Sequence, residues 1–217
     1  MRQPRSLLVM VALLVALAGC GGARKGSSAQ GLSPLPYEDA FDDPTGGWYT
    51  EERPEVTIAY RDGALHILVQ VEGYAAWSVV ERRFRDFIVE VDATQVEGPD
   101  NNSYGLILRH VDDDHFYRFD ISGDGYYNIQ KWVDGEPQGL IPDWTPSEAI
   151  HQGAATNHLR VVARGPTMTF YVNGVELAQV EDGDYPEGRI GLVVGTFLDA
   201  PGAHIAFDNL RVLPVGE

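Results

Sequence analysis

Six residues within Asn101–Val133 have the types and the spacing to hold a polyhydroxylated ligand. The stretch reads NNSYGLILRHVDDDHFYRFDISGDGYYNIQKWV. Asn128, Gln130 and Trp132, together with Tyr126, fall on one face of a strand. Arg118 and Asp120 share a face of its neighbour, and Arg109 lies on the strand before that. Sugars offer C–H faces that stack on aromatic rings. Their hydroxyl arrays pair with planar amides, carboxylates and guanidinium groups. Trp77 and Trp144 are the candidates to close the rim of such a surface. The same pattern also fits the ordinary outer face of a sandwich, and the sequence leaves the two readings side by side.

Other chemistries leave gaps. The segment Asp120–Gly125, DISGDG, alternates oxygen ligands and has glycine at its sixth position, like the first half of an EF-hand loop. The twelfth position needs a bidentate glutamate and holds Lys131 instead. An acidic hairpin turn accounts for it better. The six histidines, His66, His110, His115, His151, His158 and His204, show no zinc spacing. His110 and His115 bracket an acidic turn, but two ligands are too few. No serine sits in a G-x-S-x-G elbow, so a nucleophilic triad finds no support.

Such a surface needs strands to carry it, and from Tyr37 onward the period is two almost everywhere. YEDAF is a candidate first strand. VTIAYRDGALHILVQ is two strands around Arg61-Asp62-Gly63, and YAAWSVVERRF follows. DFIVEVDATQV alternates Phe87, Val89 and Val91 with Ile88, Glu90 and Asp92. Asn101–Val133 makes three strands joined by the turns Asp112–Asp114 and Ser122–Gly125. Gly135–Gly153 reads as the longest irregular stretch, with one short helix expected over Pro146–Ile150. Asn173-Gly174 between apolar runs signals a hairpin. GRIGLVVGTF and HIAFDNLRVL close the domain. About a dozen strands, turn signals about every ten residues and no fixed repeat predict an all-β, two-sheet antiparallel jelly-roll sandwich over residues 37–217.

The first residues set the location. Arg2 and Arg5 form a basic n-region, and Leu7–Ala18 is an apolar run too short for a stable membrane span. It ends Leu17-Ala18-Gly19-Cys20, which resembles a bacterial lipobox. That resemblance implies removal of residues 1–19 and acylation (palmitate included) of Cys20, the only cysteine. An intrachain disulfide is therefore excluded. Residues 20–36 are small, polar and turn-prone, as expected of a flexible tether. The formal net charge of −16 becomes −18 without residues 1–19, since Arg2 and Arg5 leave and no acidic residue does. That balance excludes a nucleic-acid partner, which needs a basic stripe, and a polybasic grip on anionic lipid. The expected product is extracytoplasmic, monomeric and lipid-anchored to the bacterial cell membrane.

Several motifs together resemble the concanavalin A-like lectin/glucanase superfamily, nearest to its laminin G-like and 3-keto-disaccharide hydrolase-type jelly rolls. They are Phe41-Asp42-Asp43 with Trp48, the Asp62-Gly63-Ala64-Leu65 strand, DFIVEV and the YGLILR…FYRF meander. FYVNG, Gly188-Arg189-Ile190-Gly191-Leu192 and Phe207-Asp208-Asn209-Leu210 complete the set. The resemblance spans Tyr37 to Pro214 and implies the fold, which hosts lectins, glycosidases and adhesion modules alike. It also implies one structural calcium ion, held by Phe41 or Asp42, by Gly63 and by Asp208. Hard oxygen donors there would tie the two ends of the domain together. Family 16 glucanases carry E-x-D-x-x-E, and retaining hydrolysis needs two carboxyls about 5 Å apart. Glu90 and Asp92 match two of the three positions, and Gln95 or Thr94 stands at the third. The expectation is non-catalytic binding of a glycan or polysaccharide through one curved sheet. A 3-keto-glycoside hydrolase, a glucanase-like enzyme and a laminin G-like adhesion module are the alternatives. Cys20→Ser should abolish metabolic palmitate labelling and move the protein from the membrane to the soluble fraction; unchanged labelling would rule the lipobox out.

Overall fold

The computed structural model describes residues 31–216. The expected signal segment, Cys20 and the tether as far as residue 30 lie outside the described residues. Residues at the tether's other end are docked: the Ser33 amide donates to the Arg83 carbonyl (2.8 Å), and Leu35 packs on the core.

Sixteen strands, several only a few residues long, build the described region. In chain order they begin β1 (Tyr37–Asp39), β2 (Glu51–Glu52), β3 (Val56–Arg61), β4 (Ala64–Val69), β5 (Ala75–Phe84), β6 (Phe87–Glu97), β7 (Asn102–Asp112) and β8 (His115–Ile121). They continue β9 (Tyr126–Val133), β10 (Glu136–Gly139), β11 (Thr145–Pro146), β12 (Thr156–Arg164), β13 (Thr167–Val172), β14 (Val175–Glu181), β15 (Gly188–Thr196) and β16 (Ala203–Leu213). Two antiparallel sheets result. The larger runs β14-β13-β12-β6-β16-β4-β3-β2, with β1 on β16. The smaller runs β10-β9-β8-β7-β15-β5, with β11 on β9. This is a jelly-roll sandwich of the concanavalin A-like kind, as the alternation of residue types predicts.

The core is the slab between the sheets. On β6, Phe87, Val89, Val91 and Ala93 are wholly buried and Ile88, Glu90 and Asp92 point away. From the smaller sheet, Leu106, Leu108, Phe119, Ile129, Leu192 and Val194 meet them. Each such large side chain contributes about 1.5–3 kcal/mol by leaving water. Hairpins join the strands where the sequence places them. Asn173 and Gly174 both take left-handed φ values (49° and 81°), which a type I′ turn requires and Asn-Gly tolerates best.

Two expectations need correction. Pro146–Ile150 is not a helix. Thr145 and Pro146 pair with Tyr127 and Tyr126, and Ser147–Ile150 makes a single turn. So short a segment closes too few bonds to offset helix nucleation. Asparagine side chains bind the backbone there instead: Asn173 donates to the Ala149 carbonyl, and the amide of His151, the next residue after the segment, donates to Asn157, both at 2.8 Å. The stretch Gly135–Gly153 also carries β10 and β11 rather than lacking structure altogether.

Arg109 is the second correction. Strict alternation would turn it outward beside Arg118, but β7 carries an irregularity here. Arg109 has φ of 50°, and the pairing with both neighbouring strands shifts register. The bulge turns Arg109 inward to complete burial and gives its outward place to His110. Its guanidinium then donates to the carbonyls of Arg85 (3.0 Å), Gly165 (2.8 Å) and Tyr185 (3.3 Å), one on each of three connections. The Asp86 carboxylate lies 3.7 Å away. Arg109→Met should cost about 3 kcal/mol in urea unfolding, because buried carbonyls lose a charged donor. A loss under about 1 kcal/mol would mean that water replaces the guanidinium.

Candidate functional site

The outward face of the smaller sheet is a trough, and its rows follow from strand register. Asn128, Asp120, Gly105, Val193 and Trp77 stand level across β9, β8, β7, β15 and β5. The next row is Gln130, Arg118, Ile107, Gly191 and Val79. Glycine thus recurs in mid-sheet, while large side chains rise to the sides. A cavity of about 590 Å³ opens along these rows, lined in part by Trp77, Arg118, Asp120, Asn128, Gln130 and Trp132. Trp144 reaches its rim from the loop before β11, edge-on to Phe197 (5.7 Å between centroids, 82°).

The cavity therefore gathers seven of the eight residues expected from sequence, all but Arg109. Sequence reasoning missed Ser103, Phe116, Tyr74 and residues 195–198, at and just past the end of β15. Ser103 and Phe116 carry no charge or amide that would have singled them out. Tyr74 and Phe197 come from distant connections, and nothing in their local spacing places them together.

Arg118 and Asp120, two apart on β8, both point into the trough and are almost wholly buried. Arg118 Nε lies 2.6 Å from Asp120 Oδ2, so the two charges form a close ion pair. Arg118 Nη2 donates to Ser103 Oγ (3.1 Å). Gly195 leaves room for this contact: a Cβ there would sit 2.5 Å from Ser103 Oγ and 3.3 Å from Arg118 Nη2. Three buried polar atoms of the trough have no hydrogen-bond partner: Asp120 Oδ1, Asn128 Oδ1 and Trp132 Nε1. Beside them lies an apolar platform. Trp132 stacks on Phe116 (5.3 Å, 14°), and Ile107, Val193 and Trp77 pack against the same ring system.

Burial raises the Asp120 carboxyl above its ordinary value, and the neighbouring Arg118 opposes the shift without cancelling it. His110 has the outward place that Arg109 vacates and stacks on Phe116 (5.6 Å, 21°). Arg189 Nη2 must donate to His110 Nδ1 (3.0 Å), which leaves His110 Nε2–H to face Asp113 Oδ1 (3.2 Å). Burial, then the Arg189 charge, holds this imidazole below its ordinary value, so it is neutral at pH 7.

The other expected positions lie elsewhere. Glu90 and Asp92 are on the outward face of the larger sheet, away from the trough. Glu90 pairs with Arg160 (3.1 Å), and Asp92 with His158 (2.7 Å) and Asn209 (3.0 Å). Gln95 is buried and accepts from Asn102 (2.8 Å). No glucanase-type carboxylate cleft forms from these residues. Asp42 and Gly63 meet: a Cβ on Gly63 would lie 3.1 Å from Asp42 Oδ1. Asp208 follows Phe207, which is registered with Leu65, so it lies level with the start of β4. Its carboxylate accepts from the Asn209 amide (2.6 Å). These are hard oxygen donors of the kind calcium takes. Among the described residues no group of three His, Cys, Asp or Glu side chains is arranged to hold a metal ion.

The 3-keto-alpha-glucoside-1,2-lyase-like domain model matches residues 36–213. The chain belongs to that family. Three solved structures share its fold. Carbohydrate binding module CBM66 from Bacillus subtilis is 21% identical, with 76% of this chain and 93% of that one covered at a TM-score of 0.60. Bacillus licheniformis beta-glucanase is 9% identical, with coverages of 83% and 98% and a TM-score of 0.61. A Bacillus subtilis protein with a galectin-like fold is 14% identical, with coverages of 82% and 94% and a TM-score of 0.57. No curated protein is similar to the chain in sequence at a significant level. This member of the lyase-like family has the jelly-roll fold that the carbohydrate-binding module and the beta-glucanase share.

A raised carboxyl has a signed consequence. The folded chain keeps a proton on Asp120 at pH values where the unfolded chain has lost it. Its contribution is fully present below the ordinary aspartate value, 3.8, and is lost as pH rises through the folded value. The melting temperature of Asp120→Asn should therefore gain on the parent as pH rises from about 4. The opposite trend would show that Arg118 dominates the carboxyl.

Proposed function

We propose that this chain is a lipid-anchored, extracytoplasmic and monomeric module that binds a glycan in the trough without turning it over. The observation that carries the reading is that three buried polar atoms without a hydrogen-bond partner belong to residues lining the cavity, beside an aromatic platform. Each would cost about 1–3 kcal/mol if nothing satisfied it. One is a donor, Trp132 Nε1, and two are acceptors, Asp120 Oδ1 and Asn128 Oδ1. A sugar ring offers hydroxyls, which donate and accept, and a C–H face for Trp132 or Trp77. The lipobox at Cys20 supports the anchor, and the family model and the CBM66 fold support a carbohydrate ligand. On a glycan array, Trp132→Ala should weaken binding about tenfold or more, since it removes both the stacking face and a donor.

A second reading has its own support. Family membership and the raised carboxyl of Asp120 favour a lyase or hydrolase acting on 3-keto-glycosides, with Asp120 handling the proton. Turnover of a 3-keto-α-glucoside that disappears in Asp120→Asn would select it. Binding sensitive to Trp132→Ala without turnover selects the module. Silence in both assays would remove the carbohydrate readings and leave the adhesion alternative.

We also propose one structural calcium ion held by Phe41 or Asp42, by the Gly63 carbonyl and by Asp208. Its support is the hard-oxygen chemistry of the set and the approach of Asp42 to Gly63. Calcium added to an EDTA-treated sample should raise the melting temperature, and an unchanged value would end the proposal.

A further inference from the structure

A second cavity, of about 510 Å³, opens on the same side of the smaller sheet. It is lined by Tyr49, Glu81, His110 and Arg189 among others, and it shares Tyr74, Ala75 and Trp77 with the first. Those shared residues belong to β5, the last strand of that sheet, and to the connection before it. Beyond β5 the chain adds one more strip. Trp48 bridges to Val80, and Ser78 Oγ donates to the Tyr49 carbonyl (2.8 Å), so residues 48–53 wall the trough where the sheet would otherwise end. From β9 to β5 the first cavity crosses four strand spacings, about 19 Å at about 4.8 Å each. The second cavity carries the same floor further.

The second cavity differs from the first in what it leaves free. Its charges are paired with one another: Arg53 with Glu51, Arg189 with Glu81 (2.5 Å), and His110 with Arg189 and Asp113. With His110 neutral, Glu51, Glu81 and Asp113 outnumber Arg53 and Arg189 by one, while Arg118 and Asp120 cancel in the first cavity. No spare cation waits for an anionic group. What stands exposed is aromatic: Tyr49 is 54% exposed and Tyr74 is 42% exposed, beside the half-buried Trp77.

We infer that the ligand is a neutral oligosaccharide of several rings that runs across the strands through both cavities. Its first rings sit over Asp120, Asn128 and Trp132, and the chain passes Trp77 to stack on Tyr74 and Tyr49. This rests on the carbohydrate-binding reading and adds ligand length, direction and charge to it.

Titration calorimetry with α- and β-linked gluco-oligosaccharides, each series running from glucose to the pentasaccharide, tests it. Affinity should climb with length beyond the disaccharide in the series that binds. Tyr49→Ala should weaken the longest ligand about tenfold and leave the shortest binder unchanged, whereas Trp132→Ala should weaken every length. A melting temperature equal to the parent's would confirm that Tyr49→Ala is folded. Affinity that is flat with length, or long-ligand binding indifferent to Tyr49→Ala, overturns the inference. The binding reading survives that result if Trp132→Ala still weakens the shortest ligand. A galacturonic acid pentasaccharide should bind at least about tenfold more weakly than its neutral counterpart, and equal affinity overturns the charge assignment. No binding by any neutral member at any length removes this inference and the module reading together.

Discussion

The ion pair of Arg118 and Asp120 is the constraint around which the trough is built. Two charges on the outward face of a sheet would ordinarily stand in water, where pairing is worth little. Here both are nearly buried, and burying a charge costs several kcal/mol unless its surroundings compensate. Much of the site can be read as that compensation. Ser103 accepts from the guanidinium, Gly195 withholds a side chain that would displace it, and the aromatic flank excludes solvent. Compensation stops short of completion, and Asp120 Oδ1 and the neighbouring Asn128 Oδ1 are left without a hydrogen-bond partner.

The rest of the molecule holds this face still. The larger sheet presents Phe87, Val89, Val91 and their neighbours to the inner side of β7, β8 and β15, so the rows above cannot slide without exposing the core. At one end Arg109 ties three connections through their carbonyls. Close by, the Lys131 ammonium bridges Asp182 (2.7 Å) and Asp184 (2.6 Å), while the Tyr117 hydroxyl donates to Asp182. The connection before β15 is thereby pinned to β8 and β9. A rigid floor suits recognition of a carbohydrate, because ordering mobile side chains at the moment of binding would weaken it.

The bulge in β7 joins these two themes. By giving Arg109 to the interior and His110 to the trough, it exchanges a permanent cation for a neutral imidazole on the ligand side. Without it the aromatic flank would have a third guanidinium beside those of Arg118 and Arg189, and the site would suit anions better.

The alternation of residue types in the chain determines the sandwich, because a period of two sorts side chains between a dry and a wet face wherever strands are regular. It also determines which side chains of β8 and β9 share a face, so Arg118, Asp120, Asn128, Gln130 and Trp132 were legible as one surface. The hairpin turn at Asn173-Gly174 is equally local. Tertiary structure alone decided the rest. Arg109 turns inward because register slips against two strands at once, which no local pattern records. Pro146–Ile150 fails as a helix because asparagines from β12 and from the β13–β14 turn claim its backbone. Ser103, Phe116, Tyr74 and Phe197 join the trough only when β7, β8, β15 and the connections flanking β5 and β15 come together. Residues two apart on a strand share a face by covalent geometry, while residues on different strands share one only through the register that the whole core enforces.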